Sequence, residues 1–76
     1  MHLINDFVKA EKFLKRAVEL MPDDPIVNDH YGDILWKLNR KIQARYFWKN
    51  VLKMKDAEKD MIEKINAKLI YGLKNS

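Results

Sequence analysis

Asp29 and Asp33 stand four residues apart in the stretch DHYGDILW (29–36), a spacing that puts both carboxylates on one face of a helix, with His30 beside them. Such a pair can do general acid–base work, and with an imidazole it can supply half of a metal site. Neither chemistry finds its complement elsewhere in the chain. The second histidine is His2 at the very start, there is no glycine-rich phosphate loop or activated nucleophile, and there is no cysteine to act as a thiolate or zinc ligand. The pair therefore reads as ordinary solvated helix charge, and no catalysis, metal or cofactor is expected. Lys41, Arg45, Lys49 and Lys53 form a second pattern, a basic stripe in steps of four. Like charges at that spacing repel by a few tenths of a kcal/mol per pair, roughly, so folding alone mildly disfavours it. Contact with nucleic acid, an anionic surface or an acidic protein would explain the stripe, although a solvated outer face needs no ligand. Trp36 and Trp48 suggest base stacking, but Trp48 falls on an apolar face and reads as core, whereas Trp36 falls off its helix's apolar face and is expected to be exposed.

The elements that carry these residues follow from periodicity. With 76 residues, 47% of them hydrophobic and 34% charged, the chain reads as one small folded domain rather than a disordered segment. No apolar run reaches the roughly 18 residues of a membrane span and no signal peptide is evident, so the chain is expected to be soluble, without membrane insertion, and to stay in the cytoplasm. Apolar residues spaced by three and four predict helices over 6–21, from Pro25 to about Leu38, from Lys41 to about Met54, and over about 57–72. Asp24 suits an N-cap with Pro25 at the first helical position, Asn39 can take the left-handed conformation that ends the second helix, and Gly72 stops the fourth. The fold class is all-α.

Shifted by 34 residues, the chain matches itself: Ala10 falls on Ala44, Phe13 on Phe47, Leu14 on Trp48, Ala17 on Val51, Ile65 on Tyr31, Asn66 on Gly32 and Leu69 on Leu35. The pattern resembles the tetratricopeptide repeat, an antiparallel helix pair of that length. Asn28, Tyr31, Gly32 and Leu35 stand in its first cluster, Ala44 and Trp48 in its second, and Ala10, Leu14, Ala17 and Pro22 in the preceding copy; Asn28 replaces the usual tryptophan and Asp56 the closing proline. The stretch PDDPIVNDHYGDILWKLNRKIQA is similar to closing repeats of bacterial members. The resemblance implies an α-solenoid fragment: the second helix of one repeat (6–21), a full repeat (25–54) and a capping helix (57–72). It also implies a non-catalytic scaffold whose concave groove, presenting Ile26, Asp29, Asp33, Trp36, Lys37, Glu63, Ile70 and Tyr71, takes a peptide segment of a protein partner. Nucleic-acid or anionic-surface binding through the basic stripe is the alternative.

Gly32 interrupts a helix at a cost of about 1 kcal/mol against alanine, so a close approach should compensate, and Ala44 on the third helix is the expected neighbour. The apolar residues of the first helix, Phe7, Ala10, Phe13, Leu14 and Ala17 among them, wrap more surface than one neighbouring helix can cover. Self-association through this helix is expected. Asn66 would meet Ala10 where Gly32 meets Ala44 in the intact repeat, and that bulk favours a closed two-fold homodimer over a head-to-tail chain.

Overall fold

The computed structural model describes residues 4–73; His2 and Leu3 lie outside them, and of Ile4 and Asn5 only the helical backbone is described. Four helices follow in chain order: α1 (Ile4–Leu20), α2 (Pro25–Lys37), α3 (Lys41–Val51) and α4 (Lys59–Tyr71), with no strand among the described residues. None of them is long and apolar enough to cross a membrane.

Local chemistry sets the breaks. After α1, Pro22 has no N–H to continue the helix, and Asp24 then caps α2 by accepting from the Val27 N–H at 3.0 Å. Asn28 is buried and ties the turn to the helix, its amide donating to the Pro22 and Asp24 carbonyls at 3.1 and 2.8 Å. This spends the polar side chain where the repeat pattern has a tryptophan. At the other end of α2, Asn39 has φ 64°, its N–H reaches the Trp36 carbonyl and that of Arg40 the Leu35 carbonyl, both at 2.9 Å. The two bonds satisfy carbonyls the helix would otherwise leave open. α3 stops at Val51 rather than continuing to Met54. The N–H groups of Leu52, Lys53 and Met54 bond three residues back, tightening the chain into turns that use up the last carbonyls.

α2 and α4 each have 13 residues, and their first residues, Pro25 and Lys59, lie 34 positions apart, which is the offset of the sequence repeat. α2 packs between α1 and α3, and α4 packs on α3. The core runs through Tyr31 and Leu35 of α2, Ala44, Trp48 and Val51 of α3, and Ile65 of α4. Gly32 lies against the edge of the Trp48 indole. A Cβ there would stand 2.5 Å from both Cδ1 and Nε1 of that ring and 3.2 Å from the Ala44 carbonyl oxygen. The close approach is thus to the Trp48 ring first and to the backbone of Ala44 second, not to the Ala44 methyl.

Because of that contact, Gly32→Ala should destabilise the protein although helix propensity alone favours alanine by about 1 kcal/mol. Gly32→Leu should cost roughly 1 to 3 kcal/mol or more through overpacking. Urea unfolding followed by far-UV circular dichroism measures both. A Gly32→Ala variant as stable as the parent would contradict the packing described.

Candidate functional site

The side chains with chemical potential gather where α2 and α4 face each other. Lys68, on the same side of α4 as Ile65 and Leu69, places its ammonium 2.7 Å from Asp29 Oδ1 and 2.8 Å from Asp33 Oδ1. The three side chains are each less than a third exposed. The Trp48 Nε1–H also donates to Asp33 Oδ1, at 3.1 Å, and the Lys68 ammonium lies 5.6 Å from the Trp48 ring centroid. The two carboxylates are therefore not solvated helix charge. They hold α4 onto α2 through one shared cation, and Asp33 also satisfies the buried indole of α3. No buried side-chain nitrogen or oxygen among the described residues lacks a hydrogen-bond partner.

Burial disfavours the charge of Lys68, but its hydrogen bonds and attraction to Asp29 and Asp33 outweigh that and hold its pKa above the ordinary lysine value. Tyr31 is raised too, first by burial and then by Glu11, whose Oε2 accepts its hydroxyl at 3.2 Å. Lys68 was legible only indirectly: it is a cation one residue before Leu69, on a helix side that otherwise reads as apolar.

Trp36 is half-buried, not exposed. Its ring stacks on Trp48 at 5.4 Å between centroids with 28° between planes, and the Lys41 ammonium sits 4.8 Å from its centroid. Gly72, the C-cap of α4 with φ 71°, lies so close that a Cβ there would overlap the Trp36 ring. Arg45 donates from Nη1 to the Leu69 carbonyl at 2.9 Å, placing a cation at the negative end of α4. All four cations of the basic stripe are exposed, but Lys41 and Arg45 thus also make contacts within the fold.

What stays open on the α2 and α4 side is a cleft of about 610 Å³ between the first turns of the two helices. Ile26, 55% exposed, and Met61 give it apolar walls, and Asp56, Glu58 and Asp60 stand around them. The cleft is acidic although the chain carries a net charge of +4. Lys37 and Glu63 are exposed and do not line this cleft, and Lys37 lies 5.5 Å from the Phe7 ring centroid of α1. Ile70 and Tyr71, at the far end of α4, are 71% and 75% exposed. Of the residues expected on α1, Phe7, Ala10, Leu14 and Ala17 are half-buried and Phe13 is 78% exposed; Leu20 and Met21 are exposed as well. Among the described residues no group of three or more His, Asp or Glu is arranged to hold a metal ion.

No family model matches the chain, and no curated protein and no solved structure matches it either.

A raised pKa in the folded state for both Lys68 and Tyr31 means that their contribution is complete below the unfolded values, about 10.4 and 10, and is lost as pH rises through the folded values. The melting temperature should therefore fall as pH is raised from 9 towards 12. Lys68→Met should lower stability at pH 7 by about 1 to 2 kcal/mol, because two half-buried carboxylates lose their cation. The same variant should flatten the alkaline fall, and a profile as steep as the parent's would remove Lys68 from this role.

Proposed function

We propose that the chain is a non-catalytic, tetratricopeptide-like interaction module that takes a peptide segment of a protein partner along α2 and α4. The single observation that carries this reading is the acid-rimmed, apolar-walled cleft between the first turns of the two helices, with Ile26 standing in it half in water. A rigid scaffold supports such a role, since α2 and α4 are locked to each other by Lys68 and to α3 by Trp48. Exposed aliphatic surface beside carboxylates suits a segment with a lysine or arginine next to an aliphatic anchor. Asp29 and Asp33 are already paired with Lys68, so recognition falls to Ile26, Met61 and the carboxylates of Asp56, Glu58 and Asp60. The 34-residue offset between α2 and α4 supports the repeat reading of the scaffold.

Peptides selected from a random displayed library on the immobilised chain should be enriched in a basic residue beside an aliphatic one. Their affinity should drop at least about tenfold, or 1.4 kcal/mol, in a chain carrying Ile26→Glu and Asp60→Asn. Both positions are exposed, and a glutamate near a helix N-terminus is favourable, so the fold is retained. Selected peptides that bind the double variant as tightly as the parent would defeat the proposal.

A further inference from the structure

The two helices at the ends of the described fold carry matching uncovered faces. On α3, Ala44 and Val51 are fully buried against α2, whereas their counterparts on α1, Ala10 and Ala17, are only half-buried, and Phe13, the counterpart of half-buried Phe47, is 78% exposed. On α2, Gly32 is buried and Trp36 half-buried against α3, whereas their counterparts on α4 are Asn66, which is exposed, and Ile70, which is 71% exposed. α1 thus lacks a cover of the α2 type, and α4 lacks one of the α3 type.

We propose that copies of this chain associate head to tail, the outer face of α1 in one copy packing on the outer face of α4 in the next, so that the two helices repeat the α2 and α3 pairing. The side chains at that junction fit each other position by position. Gly32 against Trp48, the smallest residue facing the largest, becomes Asn66 against Leu14, two of middle size. The bulk of Asn66 thus meets a smaller side chain than Trp48, and what remains is its approach to the Ala10 carbonyl, where the equivalent Cβ at Gly32 would stand 3.2 Å from the Ala44 carbonyl oxygen and the helices would have to part by a few tenths of an ångström. The hydrogen-bonded pair of Asp33 and the Trp48 Nε1–H becomes Ala67 against Leu14, two apolar side chains with no polar atom left unpaired. The stacked Trp36 and Trp48 become Ile70 and Leu14, and Lys41 over Trp36 becomes Phe7 beside Ile70. A closed two-fold dimer through α1 leaves Ile70 and Tyr71 in water, while the head-to-tail contact covers the α4 face as well as the α1 face. Because the two surfaces differ, the contact propagates from copy to copy. It is independent of what the groove takes, and either can fail without the other.

Two charge variants at exposed positions test it: Phe13→Lys blocks the α1 face and Ile70→Lys blocks the α4 face. Analytical ultracentrifugation of the parent should show mass growing with concentration beyond two chains. Each variant alone should sediment as a single 9.1 kDa chain, and an equimolar mixture should form a complex of two chains and stop there, since only one intact pair of faces remains. Far-UV circular dichroism confirms that both variants keep their helices. Three results each overturn the proposal: a parent that stays monomeric at every concentration, an Ile70→Lys chain that still dimerises, as a closed α1 dimer would, or a mixture that stays at the mass of one chain.

Discussion

Trp48 has no exposed surface, and the structure is arranged so that the edge of its indole can abut the backbone of α2. Its edge needs Gly32 bare, its face needs Trp36 for stacking, and its N–H needs Asp33 as acceptor. Removing a tryptophan of this kind from a core costs about 3 to 5 kcal/mol, a large share of what a domain of this size has in total. The requirement reaches α4, because Asp33 is shared with Lys68 and Trp36 is bounded by Gly72. A single side chain on α3 thereby determines how three helices meet.

The polar groups follow from that arrangement. A buried indole without an acceptor and a half-buried carboxylate pair without a cation would each be costly, and joining them through Asp33 and Lys68 settles both. The same economy explains part of the basic stripe. Arg45 and Lys41 are spaced four apart because both reach the end of α4, one through the Leu69 carbonyl and the other over the Trp36 ring that Gly72 abuts. Mild repulsion along α3 is then offset in part by contacts of Lys41 and Arg45 across to other elements.

With these groups occupied, the free surface divides into two kinds. One is the acidic cleft beside Ile26, where carboxylates surround a modest apolar wall. The other is the apolar surface at the ends of the helix row, carried by Phe13 on α1 and by Ile70 and Tyr71 on α4. Ile70 belongs with the second kind because Trp36, its counterpart on α2, points at the α3 pairing and not into the groove. The repeat register, applied to the observed contacts, separates the acidic cleft from the apolar faces at the ends of the helix row.

Helix existence, order and most ends were legible in the sequence because they depend on neighbours within a few residues. Asp24 caps, Pro22 interrupts, and Asn39 and Gly72 adopt positive φ, whatever the rest of the chain does. The 34-residue offset was legible for the same reason, since periodic packing leaves periodic apolarity. The partners of the side chains were another matter. Spacing placed Asp29 and Asp33 on one face but said nothing of Lys68, which arrives from 35 residues beyond Asp33, and it set Trp36 off the apolar stripe of α2 without revealing that α3 and the end of α4 close around it. Periodicity reports which side of a helix a residue occupies. What stands opposite depends on how the helices cross, and here the fit of one indole against one glycine decided that.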